Sequence, residues 1–137
     1  MKKINSYLSF NGNCKEAMQY YQQVLGGLLT LQTIGDSPLS EKMEPEMRSK
    51  IVHAALKGND FIIFGSDLVD DTGLINGNTV SILINFTSEK EIKDVFNQLS
   101  QEGVTNQPLQ LSFWGALFGS LTDKYGSNWL LHFDNRS

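Results

Sequence analysis

The chain repeats one stretch of its own sequence, and this repeat limits how it can fold. The segment Asn13–Glu16, with the apolar residues after it, returns 75 positions later as Ser88–Glu91. Each copy begins with a helix N-cap residue and a Glu three places on. Apolar residues then follow at i, i+3, i+4 and i+7, as on one face of a helix. Two further similar segments, Lys57–Ile63 and Tyr125–Leu131, lie 68 positions apart. The sequence therefore predicts one strand–helix–strands module written twice.

This order predicts an α+β fold of two tandem βαβββ modules, about residues 1–77 and 78–137, in a single domain. We expect curved mixed sheets around a cleft, with the helices outside. The patterns of Ile4–Phe10 and Thr79–Phe86 predict the first strand of each module, and each sends aliphatic residues to one face. The opposite faces mix polar and apolar side chains, which suits either a ligand cleft or a solvated sheet face.

Composition and charge exclude several classes of function. The chain has 137 residues, a net charge of −4 and a sequence pI of about 5.0. Nucleic-acid binding needs a basic face, so we expect no nucleic-acid partner. No apolar stretch approaches the roughly 20 residues that span a bilayer, so we expect no membrane partner. The single cysteine, Cys14, excludes a disulfide within the chain, and a reduced, cytoplasmic protein is the default interpretation.

Several segments together resemble one family. These are Tyr7–Ala17, Ile51–Ala54, Phe113–Gly119 and Thr122–Trp129. They are similar to the PhnB-like proteins of the vicinal-oxygen-chelate superfamily, which includes glyoxalase I, bleomycin-resistance proteins and extradiol dioxygenases. The resemblance runs nearly end to end and implies the paired βαβββ fold and a homodimer. It does not imply a function, and the methyltransferase label that such sequences carry lacks a glycine-rich turn for a nucleotide-like methyl donor.

The same resemblance raises the question of a metal. Metal-dependent members place His, Gln or Glu on four strands, and matching the repeats brings those positions to Asn5, Ile62, Ser81 and Leu130. Aliphatic side chains cannot coordinate, and Asn and Ser are weak neutral donors, so we expect no metal and no cofactor. A site built instead from His53, His132 and a nearby Asp60 or Asp123 stays open.

His53 is the candidate general acid or base, because imidazole titrates near neutrality. A structural histidine bonded across the sheet is the other interpretation. Many relatives carry a Glu where this chain has Ala55 and an Arg where it has Leu117, so a shared catalytic role is in doubt. The predicted ligand-binding residues are Asn5, Tyr7, Ser9, Phe64, Ser81, Trp114, Phe118 and His132.

Other features each have two interpretations. Trp114 and Phe118 either stack on a ligand or anchor the loop and a dimer interface. Cys14 either has a lowered pKa at a helix N-terminus or simply fills the first turn. Met43 and Met47 either form a flap or pack in a dimer.

The function predicted from these features is metal-independent binding of a small organic molecule by a homodimer. Whether the protein is an enzyme stays open. One alternative is a metal-dependent lyase, isomerase or thiol transferase of glyoxalase or fosfomycin-resistance type. Another is a bleomycin-resistance-like protein that sequesters a cationic drug in an acidic groove formed by Glu41, Glu44, Glu46, Asp70 and Asp71. The ligand, the direction in which His53 and His132 face, and the mode of dimerisation do not follow from the sequence.

Overall fold

The computed structural model describes residues 1–38, 40–42, 44–69 and 73–134. The chain divides into two compact units, Met1–Ile75 and Asn76–Ser137. The elements in chain order are β1 (Ser6–Ser9), α1 (Cys14–Leu25), β2 (Leu28–Thr33), β3 (Ile51–Lys57), β4 (Ile62–Ser66), β5 (Ile82–Phe86), α2 (Glu89–Ser100), β6 (Val104–Leu111), β7 (Ala116–Thr122) and β8 (Asn128–Asp134). Two short 3-10 turns, Ser40–Lys42 and Pro45–Met47, lie between β2 and β3.

The first unit is a four-stranded sheet with α1 packed on one face. Its strand order is β1-β4-β3-β2, in which β1 runs parallel to β4 and the other neighbours are antiparallel. The helix buries its apolar stripe, including Met18 and Tyr21, against the sheet residues Ala54, Leu56 and Ile63. Burial of this stripe is the main source of helix stability, because a helix of 12 residues is marginal alone.

The second unit repeats this architecture. Its strand order is β5-β8-β7-β6, again with one parallel pair, β5 and β8. Phe96 and Leu99 of α2 are buried with the sheet residues Trp129, Leu131 and Leu121. The predicted α+β fold of two βαβββ modules is therefore confirmed, and each helix covers one face of its own sheet.

The two helices begin in different ways. Ser88 Oγ accepts the backbone N–H of Glu91 at 3.2 Å, as the capping pattern predicts. The Asn13 side chain makes no such bond, so that half of the prediction is wrong. Instead Asp67, at the end of β4, accepts the N–H groups of Gly12 and Cys14 at 2.9 Å each. A carboxylate distant in sequence thus caps α1. A capping motif read from the residues around the helix start cannot predict such a contact.

The strand register shows that the first strands of the two modules are not related by the same offset as the helices. Tyr7 pairs with Phe64, and Asn85 pairs with His132. Phe64 and His132 are 68 positions apart, whereas Tyr7 and Asn85 are 78 apart. The helices are offset by 75 positions and the first strands by 78. The connection from the first strand to the helix is therefore three residues longer in the first module than in the second. Ser81 is consequently not the structural counterpart of Asn5.

Element boundaries differ from the prediction at the first strand of each module. β1 begins at Ser6 rather than Ile4, and β5 begins at Ile82 rather than Thr79. β6 runs from Val104 to Leu111. Within the described ranges, neither helix has the length and apolar character needed to cross a bilayer.

Candidate functional site

The face of the first sheet turned away from α1 carries most of the candidate residues of that unit. Gly65 on β4 faces the helix, because a Cβ built there would lie 3.2 Å from Met18 Sδ. Its neighbour Phe64 therefore faces the other way. We call this side of β1–β4 face 1. Its central row, read across the four strands by register, is Tyr7, Phe64, Ala55 and Thr30.

Polar side chains occupy the row on one side of this central row. Gln32 pairs with His53, and Ser9 pairs with Ser66. Tyr7 Oη donates to Ser66 Oγ at 2.7 Å, and Tyr7 as a whole is 57% exposed. The opposite row, formed by Leu28, Lys57 and Ile62, is apolar except for the lysine.

His53 is exposed on face 1, and its ring packs on Phe64 with centroids 5.8 Å apart and planes tilted by 38°. The ring is therefore accessible to solvent and in contact with an aromatic neighbour. An imidazole in this position can donate to or accept from a bound molecule.

The second unit has a matching row on the side of its sheet away from α2. Gly119 faces the helix, since a Cβ built there would lie 2.7 Å from Phe96 Cε2. Phe118 and its register partners face the other way, and we call this side of β5–β8 face 2. Its central row is Asn85, His132, Phe118 and Gln110. Directly opposite Cβ atoms in antiparallel strands lie about 5 Å apart, so the rings of His132 and Phe118 are neighbours.

An aromatic cluster continues from this row into the β6–β7 hairpin. The Trp114 ring lies 6.2 Å from Phe118 and 4.9 Å from Phe113, edge to face in both cases. Ser112 holds the turn, because its N–H donates to the carbonyl oxygen of Ala116 and its Oγ accepts the Ala116 N–H. Gly115 occupies φ 90°, a region that favours glycine. The hairpin therefore holds Trp114 at 42% exposure and Phe113 at 97%.

The two histidines do not occupy equivalent positions. His132 takes the place that Phe64 has in face 1, in the central row next to the parallel edge strand. His53 lies one row away from the centre of face 1, on β3. They also belong to different units, so neither unit by itself holds a pair of histidines.

The structure distributes the remaining predicted residues unevenly. Tyr7, Ser9 and Phe64 share face 1 with His53, and Phe118 shares face 2 with His132. Asn5 and Ser81 precede β1 and β5 and have no place in the registers. Trp114 reaches face 2 through its contact with Phe118.

Sequence reasoning missed four side chains on these faces: Thr30, Gln32, Lys57 and Gln110. Thr30 and Gln32 alternate with leucines along β2, so their position on one face was readable from the period of two. Their adjacency to Ala55 and His53 depends on the pairing of β2 with β3, which the sequence does not reveal.

The residues present do not fit a divalent metal. The positions matched to metal ligands include Ile62 and Leu130, whose side chains have no donor atom. Asp123, proposed as a partner for a histidine, is buried and accepts from Tyr125 N, Ser127 N and Trp129 Nε1. Across residues 1–38, 40–42, 44–69 and 73–134, no group of three His, Cys, Asp or Glu side chains is placed to hold an ion. Whether the protein works without a metal stays a prediction.

Cys14 is fully buried under the sheet, against the helix N-terminus. Burial, and to a smaller extent the nearby Asp67 carboxylate, together raise the pKa of its thiol to about 12. Of the two interpretations of Cys14, the one in which it fills the first turn is supported, and a pKa lowered by the helix dipole is wrong, because desolvation outweighs the dipole. A thiol in this state is a packing group, not a nucleophile.

The predicted acidic groove is only partly described. Glu41, Glu44 and Glu46 are exposed, but the same loop carries an equal number of basic residues, Lys42, Arg48 and Lys50. This loop therefore lacks the concentrated negative charge that a cationic drug would need. Met43, Asp70 and Asp71, for which predictions were made above, lie outside the described residues.

Comparison with known proteins places this chain among relatives along nearly all of its length. A family model described as 3-demethylubiquinone-9 3-methyltransferase matches residues 2–132. The chain is 30% identical over 142 residues to Protein YjdN of Escherichia coli strain K12, covering 94% of this chain and 93% of that protein.

Solved structures with the same fold include protein PA1353 from Pseudomonas aeruginosa, with 36% identity, a TM-score of 0.87 and 98% coverage of both chains. A Bacillus cereus PhnB protein has 25% identity and a TM-score of 0.77, covering 96% of this chain and 99% of its own. A glyoxalase-related enzyme from Fulvimarina pelagi, at 16% identity and a TM-score of 0.64, covers 98% of this chain and 89% of its own and shares the fold.

Proposed function

Because this chain belongs to the PhnB-like family, whose model is described as 3-demethylubiquinone-9 3-methyltransferase, we propose that it is a metal-independent, homodimeric binding protein for a small organic molecule. The observation that carries this proposal is the exposure of aromatic rings beside hydrogen-bonding side chains on faces 1 and 2. Tyr7 is 57% exposed beside its register partner Phe64, whose ring packs on His53, and Trp114 is 42% exposed next to Phe118.

Such a surface has the composition of a ligand site. A protein gains by burying aromatic area, so rings left in contact with water are available to an organic molecule. The neighbouring hydroxyl, imidazole and amide groups supply directional bonds that fix the orientation of that molecule. Both unit cores lie on the helix sides of their sheets, so the exposed rings are not needed to complete a core.

Metal independence is supported by the chemistry of the side chains. Ile62 and Leu130 stand where the superfamily's metal chemistry requires donors, and the Asp123 carboxylate is engaged by three donors. The residues of this chain do not support the methyltransferase activity named in the family's description. The turn from β1 into α1 has a single glycine, Gly12, and the turn from β5 into α2 has none, so neither forms a glycine-rich cradle for a nucleotide-like cofactor.

Homodimerisation is supported by large apolar side chains that the chain leaves in solvent. Phe113 and Ile4 are each 97% exposed, Val80 is 76% exposed and Leu83 is 53% exposed. A second copy that covered several of these residues would remove apolar area from water. Light scattering coupled to size exclusion tests this directly, and a monomeric mass at micromolar concentration contradicts it. We further propose a cytoplasmic location, in keeping with a free and buried cysteine.

Tryptophan fluorescence tests the binding function, because the two tryptophans differ in exposure. Trp114 is half exposed on the hairpin, whereas Trp129 is fully buried with its indole N–H bonded to Asp123. We expect a planar aromatic metabolite that binds near face 2 to change the emission of the wild type in a saturable way. The Trp114→Phe variant keeps an aromatic ring and the Trp129 signal, and we expect it to lose most of that change.

The absence of a saturable response across a broad panel of aromatic metabolites would overturn the proposal for face 2. A response of equal size in Trp114→Phe would place the bound molecule elsewhere. Metal content, measured on protein purified without chelators, tests metal independence separately. A stoichiometric metal, or a thermal shift of several degrees on adding Zn²⁺, Ni²⁺, Mn²⁺ or Fe²⁺, would favour the glyoxalase-type alternative.

A further inference from the structure

The strands of the first unit carry no carboxylate, although the chain as a whole is acidic. The chain contains 15 Asp and Glu residues, yet none lies on β1, β2, β3 or β4. Face 1 nevertheless carries hydrogen-bond donors and one cation, Lys57. We infer that face 1 binds a planar organic anion, such as an aromatic carboxylate or sulfonate. This inference rests on the proposed binding function and names the class of its ligand.

The geometry of β3 supplies a recess of suitable length. His53, Ala55 and Lys57 alternate on face 1, so the small methyl group of Ala55 lies between two long side chains. Four steps along the strand, from one residue to the next, place His53 and Lys57 about 13 Å apart. A fused bicyclic aromatic ring system fits within that span.

Aromatic walls border the recess. Phe64 is the register partner of Ala55 on β4, and Tyr7 is the partner of Phe64 on β1. The Phe64 ring also contacts His53 at 5.8 Å between centroids. A planar ligand above Ala55 can therefore pack against Phe64 while its polar groups reach His53 at one end and Lys57 at the other.

The electrostatics of the recess favour an anion. Among the described residues, no carboxylate oxygen lies within 4.0 Å of Lys57 Nζ, so this cation is not neutralised by an ion pair. Asp67 is buried and accepts from the backbone of Gly12, Cys14 and Ile51. Asp60 lies in the turn after β3 and is exposed. A ligand anion bonded to a lysine replaces water with a charge-assisted hydrogen bond.

Face 2 lacks this arrangement. Its equivalent of Ala55 is Phe118, which fills the central position with a ring, and its strand β8 ends in Asp134, the register partner of Ala116. The ring removes the recess and the carboxylate opposes an anion. The anion preference is therefore a property of face 1 and not of the repeated fold.

Two dyes with one ring skeleton test the inference on the whole chain. The probe 8-anilinonaphthalene-1-sulfonate carries a sulfonate, and N-phenyl-1-naphthylamine is the same ring system without it. We expect the sulfonate dye to bind at least about tenfold tighter, a difference of about 1.4 kcal/mol. Lys57→Gln is expected to weaken the binding of the sulfonate dye about fivefold, because one charge-assisted bond is lost. The affinity for the neutral dye should stay unchanged.

Two further variants locate the dyes and control for charge. Ala55→Leu fills the recess from the open side of the sheet, and we expect it to abolish the binding of both dyes to face 1. Lys15→Gln changes the net charge equally but lies on α1, and we expect it to change neither affinity. Near-ultraviolet circular dichroism checks that each variant is folded.

The outcomes separate this inference from the function on which it rests. Saturable binding of both dyes with equal affinity and full sensitivity to Ala55→Leu would overturn the anion preference and leave the binding function intact. Dye affinities that are the same in the wild type, Ala55→Leu and Lys57→Gln would overturn the assignment to face 1. Failure of both dyes, together with no tryptophan response to any metabolite, would overturn the binding function as well.

Discussion

Trp129 donates its indole N–H to Asp123 Oδ2 at 2.8 Å, and both side chains are buried. The other oxygen of the same carboxylate accepts the N–H groups of Tyr125 and Ser127 at 2.9 and 3.0 Å. One side chain thus closes the β7–β8 turn and fixes the largest side chain of the second core. The carboxylate at this turn is a structural element, which explains why it is unsuited to catalysis or metal binding.

Replacing Asp123 with Ala is expected to lower the free energy of unfolding by about 3 kcal/mol, because three donors lose a charged acceptor in a buried place. Urea denaturation measures this change. The near-ultraviolet circular dichroism of Trp129 should weaken in the native state. Asp94→Ala is the matched control, since it removes an exposed carboxylate that only pairs with Lys90, and it should cost less than about 0.5 kcal/mol.

The N-terminal caps of the two helices give a second prediction. The repeated sequence predicts the same side-chain cap for both, but only Ser88 makes the capping bond. Ser88→Ala is expected to cost about 1 kcal/mol, because the Glu91 N–H loses its acceptor. Asn13→Ala is expected to cost less than about 0.5 kcal/mol, because the Asn13 side chain caps nothing. Asp67→Ala should cost more than either, since Gly12, Cys14 and Ile51 all lose an acceptor.

The same denaturation series measures all three cap variants. Equal losses from Asn13→Ala and Ser88→Ala would contradict this account, because they would mean that the first helix is capped locally. A small effect of Asp67→Ala would mean that water can replace the buried carboxylate.

The repeat explains how much of the fold was predictable. The repeated helical pattern predicted both α1 and α2, and the duplicated order predicted the α+β modules. The first strands were placed less well, because Asn5 and Ser81 have strand-like neighbours but no pairing partner. Pairing is a non-local property, and a single sequence does not reveal which residues oppose each other.

The candidate site was predictable only in part for the same reason. Alternation along one strand identified Tyr7 and Ser9 as sharing a side, and the register supports that placement. The row that joins Tyr7 to Ala55 and Thr30 crosses four strands that are scattered along the first 66 residues. No local pattern links them, and the recess above Ala55 appears only once the sheet is assembled.

A third prediction compares two glycines. Gly103, just after α2, is in close contact with backbone atoms, whereas Gly77 has open space around it. A Cβ built on Gly103 would lie 2.3 Å from the Thr122 carbonyl oxygen, which belongs to the backbone of β7. Gly103→Ala is therefore expected to lower the free energy of unfolding by about 1–3 kcal/mol, since the backbone must move. Gly77→Ala meets nothing within 4 Å and should leave stability unchanged or raise it by up to about 1 kcal/mol. Thermal and urea denaturation compare the two, and equal effects would show that α2 can shift away from β7.

The buried thiol of Cys14 makes the stability of this protein depend on alkaline pH. Its folded pKa is raised from 9.0 to about 12, first by burial and then by Asp67. The thiol stays neutral in the folded state, whereas the unfolded chain releases its proton above pH 9. The stability contribution is therefore fully present below pH 9 and is lost as the pH rises toward 12.

Comparison with Cys14→Ala isolates this contribution from the other groups that titrate in the same range. Below pH 9 the difference in unfolding free energy between wild type and variant should be constant. Between about pH 9 and 12 the wild type should lose about 1.4 kcal/mol per pH unit relative to the variant. A difference that stays flat to pH 11, or rapid modification of the native thiol at pH 8, would mean that the thiol is reached by water.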